Sequence, residues 1–220
     1  MIHKDKLDKF FSVTDFNAIT PLCESMCRHG SDKGRGIHNY TKFYNYIFSE
    51  SREEELSIFE VGLGTDNTTI ESHMGAGYNV GASLYGWEEY FTNSKIYGAD
   101  VDKNILFNRG RIATYFIDQL DTNSIKSLLD DTLKDTDFDI IIDDGLHKFE
   151  ANNNFLHNSI HKLKKGGVYI IEDVYEEIID KFKPLLTDEF FQKNNLKIGR
   201  IFQLPHPTNS FDNNLIVLVK

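Results

Sequence analysis

Apolar residues in this chain gather into short runs, five of which end in glycine or acidic residues. The runs at 56–61, 95–100, 113–117, 138–142 and 167–171 have the length and flanks of buried strands. Between them lie segments of helical period. Residues 122–133 carry Leu128, Leu129 and Leu133; residues 149–163 carry Phe155, Leu156, Ile160 and Leu163 on one face, and Lys164 to Gly167 reads as a basic, glycine-ended helix stop. Pro184 limits a further helix over 175–186. Runs at 196–204 and 215–219 read as two closing strands, joined by a turn-rich link from Pro205 to Asn213. Upstream, Leu7, Phe10 and Phe11 form one helical face. Pro21 opens a short helix that Gly30 stops, and Phe43, Tyr44, Tyr46 and Phe48 give residues 41–48 an aromatic face. This order predicts an α/β, three-layer sandwich: a Rossmann-like, mostly parallel seven-stranded sheet with an antiparallel C-terminal strand. Residues 1–50 are expected to be a helical extension and 51–220 the main domain.

The chemistry is concentrated where strands end. The run at 138–142 drives into Asp143, Asp144, Gly145, Leu146 and His147, and the run at 167–171 into Glu172 and Asp173. Open α/β sheets bind ligands at carboxyl strand ends, so these acids and the imidazole form a candidate metal site. Hard carboxylate oxygens favour Mg²⁺ over zinc. The first strand runs into Gly62-Leu-Gly64, where glycines allow close backbone approach to a ligand, although Asn67 replaces the third glycine of the dinucleotide fingerprint. Asp100 ends the second strand, where a carboxylate can accept ribose hydroxyls, and Asp118-Gln119 follow the third. Residues 66–82 form a long glycine-containing insert of the kind that is functional or disordered. Ser83 is expected to cap the helix at 84–91. His38 and His206 are candidates for a substrate mouth, or plain polar surface.

Composition narrows the classes. The 220 residues suit one domain, and the formal net charge of −10 without a basic block argues against nonspecific nucleic-acid or anionic-membrane binding. No run approaches the ~18 apolar residues of a membrane helix, and the charged first nine residues lack a signal region. Cys23 and Cys27 lack zinc spacing and read as reduced cysteines of a cytoplasmic protein. A homodimer is expected from the frequency of two-fold assembly.

Taken together, the chain resembles the class I S-adenosylmethionine-dependent methyltransferases, and among them the metal-dependent sugar O-methyltransferases of the mycinamicin and macrocin type. The residues that carry the resemblance are Ser31-Asp-Lys with His38 and Tyr40, Phe59 to Gly64, Gly81 to Leu84 with Trp87, Tyr90 and Phe91, Tyr97 to Asp100, Asp118-Gln119, Asp143 to His147, and Ile171 to Asp173. It implies that Glu60, Gly62 and Gly64 hold the methionine part of the S-adenosyl-L-methionine cofactor, with Ser83 at its carboxylate, Asp100 at the ribose, Asp118 and Gln119 at the adenine, and Tyr40 as a further contact. It further implies that Asp144, Glu172 and Asp173 ligate Mg²⁺ or another hard divalent cation, and that His147 is the general base. The acceptor is then a saccharide: a nucleotide-linked sugar, a unit of a surface polysaccharide, or a glycosylated natural product. Macrolide-type members carry a substantial extra N-terminal region, whereas about fifty residues precede the first strand here.

Other classes fit less well. An NAD(P)-dependent oxidoreductase would need the missing glycine, and Asp100 lies 38 residues past Gly62 (100 − 62) where that fingerprint places its acid after about 20. A metal-dependent hydrolase or hydroxylase could use Asp144, His147 and Glu172, but a two-histidine iron site lacks its second histidine at local spacing. A noncatalytic binding protein would have little use for the full acid set.

Overall fold

A computed structural model describes residues 2–34 and 36–220. Met1 and Arg35, which fall in the predicted N-terminal extension and its polar loop, lie outside the described residues. Three helices come first: α1 (Lys4–Val13), α2 (Pro21–His29) and α3 (Tyr40–Phe48). The alternating part follows as β1 (Ser57–Val61), α4 (Ala82–Tyr90), β2 (Lys95–Asp100), β3 (Asn108–Arg109), β4 (Ile112–Phe116), α5 (Thr122–Lys126), β5 (Phe138–Asp143), α6 (Phe149–Ser159) and β6 (Leu163–Ile171). The chain closes with α7 (Ile179–Phe182), α8 (Asp188–Asn194), β7 (Ile198–Gln203) and β8 (Asn214–Val219).

The sheet order is β3-β4-β2-β1-β5-β6-β8-β7. The five strands from β4 to β6 are parallel, and β8 inserts antiparallel between β6 and β7. The sheet therefore has eight strands where the sequence pattern predicts seven. The extra one, β3, is two residues of a hairpin against β4, too short and polar to register as an apolar run.

Strand periodicity sorts the side chains onto two faces. Ile58, Ile96, Ile140, Ile142, Val168 and Val217 pack against α1 to α4. Phe59, Ile141, Tyr169, Ile171, Ile216 and Leu218 pack beneath α5 to α8. Both faces of the central strands are thus covered, which is why they read as continuous apolar runs rather than alternating ones. The N-terminal helices share the first of these cores: Leu7, Phe10, Leu22, Met26, Phe43 and Tyr44 are buried in it with the strand residues.

Several boundaries differ from those predicted. Lys164 to Gly167 belong to β6, which starts at Leu163 and meets β5 across an irregularity between Phe138 and Ile140. The helix predicted at 122–133 is α-helical only to Lys126 and widens into a π-turn over Ser127–Thr132. The stretch 175–186 breaks into the 3₁₀ turn Glu176–Ile178, α7, and a second 3₁₀ turn Lys183–Leu186 that contains Pro184. Gly30, with φ of 83°, ends α2 as expected. Among the described residues no helix is long and apolar enough to cross a membrane.

Ile141 sits mid-strand with both neighbouring strands parallel to it. Ile141→Ala is expected to lower unfolding free energy by about 2–5 kcal/mol in urea with an unchanged m-value. A loss under about 1 kcal/mol would place this strand outside the cooperative core.

Candidate active site

Parallel register places the functional loops side by side. Val61 is opposite both Ala99 and Asp143, and Asp143 is opposite Ile171. The ladder continues past the strand ends: Gly62 N–H donates to Ala99 O at 2.8 Å, Asp144 N–H to Val61 O at 2.9 Å, and Glu172 N–H to Asp143 O at 2.9 Å. The chain leaves β1 toward β2 and β4 on one side and returns to β5 and β6 on the other. The gap between β1 and β5 is therefore the switch point where such sheets hold ligands. There Gly62 takes φ of 97°, and any Cβ on it would collide with the Asp144 backbone carbonyl.

A cavity of about 280 Å³ opens at this point. Gly62, Gly64, Ser83, Asp100, Asp118 and Gln119 line one stretch of it; Asp144, His147 and Asp173 line the other. The 66–82 insert forms part of the wall through Ile70, Met74 and Tyr78.

At the second end, one ligand atom each from Asp144, His147 and Asp173 lies within 4.8 Å of the others. His147 Nε2 stands 3.3 Å from Asp144 Oδ1 and 3.6 Å from Asp173 Oδ2. It is nevertheless buried without a hydrogen-bond partner among the described residues, with Asp173 beyond hydrogen-bond reach. A buried nitrogen left unmatched between two carboxylates is a donor set that suits a hard divalent cation or a substrate hydroxyl. His147 and Asp173 also hold left-handed backbones, with φ of 57° and 51°, a strained state for residues with side chains.

The electrostatics follow from burial and neighbours. Burial alone pushes the His147 imidazolium down, but the carboxylates of Asp173, Asp144 and Asp143 push it up to about 10. Burial raises the Asp144 carboxyl, yet the Lys33 ammonium and His147 hold it at about 2. Asp143 is fully buried, which lifts it to about 6 despite hydrogen bonds from Asn152 and Gln119.

The predicted residues are not all brought together. Glu172 does not line the cavity: its carboxylate is bonded to the Lys33 ammonium, which it shares with Asp144, and to the Tyr44 hydroxyl. It is absent from the group formed by Asp144, His147 and Asp173. Glu60 is wholly buried behind the glycine loop, accepting from the Ser83 hydroxyl at 2.6 Å and from the Trp87 indole. Ser83 does not cap α4, whose N-cap is Gly81 with φ of 72°. Tyr40 lies behind the cavity too; its hydroxyl sits 2.7 Å from Asp173 Oδ1 and orients that acid. Gln119 borders the cavity, but its side chain is engaged elsewhere, donating to Asp143 at 2.6 Å and accepting from Leu146 N–H at 2.9 Å. It braces the loop that carries His147. Asp100 lines the cavity with each oxygen accepting one backbone N–H, from Leu63 and from Asp102, both at 2.8 Å. Asp118 also borders the cavity, with Oδ1 accepting from Leu120 N–H. His38 is buried and stacked on Tyr40, 3.5 Å from Asp173, and His206 caps its own turn.

The sequence reading assigned no role to Lys33, Tyr44 or Asn152. Lys33 is 1% exposed and its ammonium contacts Asp144 and Glu172. The only signal for it was the Ser31-Asp-Lys33 tripeptide in a polar loop, which looks solvated when read alone.

No protein-family model matches the chain. It is similar to a MycE methyltransferase of the mycinamycin biosynthetic pathway, solved in complex with Mg and SAH, with a TM-score of 0.67 and 21% identity over 91% of this chain and 55% of that one. The fold is that of the class I methyltransferases. The curated homologues are sugar O-methyltransferases. The chain is 29% identical to the 8-demethyl-8-alpha-L-rhamnosyl tetracenomycin-C 2'-O-methyltransferase of Streptomyces olivaceus, over 83% of its own length. It is 32% identical to the demethylmacrocin O-methyltransferase of Streptomyces fradiae, over 70% of its own length. It spans 45% and 36% of those two proteins.

The raised His147 value has a consequence for the class I domain without metal. A group whose folded pKa lies near 10 rather than 6.5 contributes stability that is complete below about 6.5 and is lost as pH rises toward about 10. In EDTA, the native protein should lose stability across that window, and His147→Gln should lack this component. Parallel pH profiles for the two, measured by urea unfolding, would contradict the assignment.

Proposed function

We propose that the chain is an S-adenosylmethionine-dependent O-methyltransferase that uses a divalent metal and acts on a sugar hydroxyl. The observation that carries the reading is the unpartnered His147 Nε2, set between Asp144 and Asp173 at one end of a cavity whose other stretch is a glycine loop and Asp100. The names of the relatives, which specify sugar O-methylation, support it. The chain spans less than half of those proteins, so the acceptor class stays broad: a glycosylated natural product, a nucleotide-linked sugar or a polysaccharide unit. A cytoplasmic setting belongs to the same proposal.

In this reading the cofactor lies along Gly62 and Gly64, whose missing side chains let backbone N–H groups approach it. Asp100 offers its remaining lone pairs to the ribose. Asp144 and Asp173 hold the cation, with Tyr40 fixing the orientation of Asp173. A bound divalent ion supplies the positive charge that acidifies a neighbouring hydroxyl. Held by Asp144 and Asp173, that ion would offset the carboxylates that keep His147 protonated, and the neutral Nε2 then accepts the hydroxyl proton. The oxygen then bonds to the methyl carbon as the carbon–sulfur bond breaks, and S-adenosylhomocysteine leaves with the electron pair. The protein contributes mainly alignment and exclusion of water.

The test combines binding and turnover. Calorimetry should detect S-adenosylhomocysteine and no NAD. EDTA should abolish methyl transfer to a glycoside panel, and Mg²⁺ should restore it. His147→Ala should lower kcat by about 10²–10⁴-fold with little change in cofactor affinity. Full activity in EDTA, or NAD binding in place of S-adenosylhomocysteine, would overturn the proposal.

A further inference from the structure

Behind the cavity, Lys33 meets three carboxylates that come from three separate strand ends. Its ammonium is bonded to Asp144 Oδ2 and to Glu172 Oε2, and lies 3.5 Å from Glu60 Oε1. Lys33, Glu60 and Glu172 are each at most 1% exposed. Tyr44 closes the far side by donating to Glu172 Oε1, and Ser83 and Trp87 complete Glu60. The cluster borders the Asp144, His147 and Asp173 group directly, since Asp144 belongs to both: Oδ2 faces Lys33 and Oδ1 faces His147.

Carboxylates packed this closely repel one another unless a cation lies among them. We propose that Lys33 is a built-in counter-ion of the metal centre, which holds Asp144 and Glu172 in place without a divalent ion and shares Asp144 with that ion when it binds. Two effects follow. The folded state does not depend on metal, because the acids already have a partner. The ammonium also lowers metal affinity, since it keeps a positive charge next to the site and engages one oxygen of a ligand. Lys33 is thus a positioning residue, acting through Asp144 and Glu172 rather than on substrate. The proposal rests on the metal reading given above.

The experiment compares native protein, Lys33→Met and Lys33→Gln by thermal unfolding in EDTA and in saturating Mg²⁺, together with Mn²⁺ affinity from calorimetry or electron paramagnetic resonance. Native protein should differ by no more than a few degrees between the two conditions. Both variants should lose about 10 °C in EDTA and recover most of it in Mg²⁺. Their Mn²⁺ affinity should rise about tenfold or more. An equal loss in EDTA and Mg²⁺, failure to fold in both, no loss at all, or unchanged Mn²⁺ affinity would overturn the role of Lys33. Absence of Mn²⁺ binding by native protein would instead overturn the metal reading itself.

Discussion

Charge balance in a confined space governs this structure. Five strand ends converge on one crevice and each delivers an acid, most densely on one side: Glu60 from β1, Asp143 and Asp144 from β5, Glu172 and Asp173 from β6. Ionised carboxylates out of water are tolerated only with partners. The protein supplies them from several elements. Lys33 is shared by Glu60, Asp144 and Glu172; Asp143 accepts from Gln119 and Asn152; Asp173 is held by Tyr40 and faces His38 and His147. The N-terminal helices matter for this reason. Tyr40 and Tyr44 of α3 and Lys33 in the loop before it complete the site, in addition to packing on the sheet.

What this balance leaves over is small and specific. His147 keeps one buried nitrogen without a hydrogen-bond partner among the described residues, on a backbone held at positive φ. Asp173 shares that strained conformation. Unfavourable geometry at two neighbouring residues persists only where the surroundings impose it. Here they do so through Gln119, which grips Leu146, and through Tyr40, which grips Asp173. The outcome is an imidazole aimed between two acids at the edge of a cavity large enough for part of a small ligand.

Much of the architecture was legible because buried parallel strands leave unbroken apolar runs, as in Ile140-Ile-Ile142 and Val168 to Ile171. The helix ends at Pro21 and Gly30 were legible through backbone chemistry alone. Elements without a strong pattern were not. β3 is two polar residues, and the residues after Asp173 form short turns whose lengths depend on packing. Within the site, strand-end acids were readable by position, since register brings consecutive strand ends together. Side-chain direction was not readable. Glu172 and Asp173 are adjacent, yet one points to Lys33 and the other to His147. Lys33 lies 111 residues from Asp144 and 139 from Glu172, so no local spacing could have paired them. Nor could local spacing show that the Tyr40 hydroxyl reaches Asp173, or that Gln119, while lining the cavity, braces the His147 loop.

The central claim is that Asp144 and Asp173 hold a divalent cation beside His147, at one end of a cofactor cavity. Its most direct test is anomalous diffraction from crystals grown with Mn²⁺ and S-adenosylhomocysteine. The account predicts a manganese peak bonded to carboxylate oxygens of both Asp144 and Asp173, with the adenosyl group running from Gly62 past Asp100. A well-ordered S-adenosylhomocysteine with no manganese between these two acids, or manganese bound elsewhere, would contradict it.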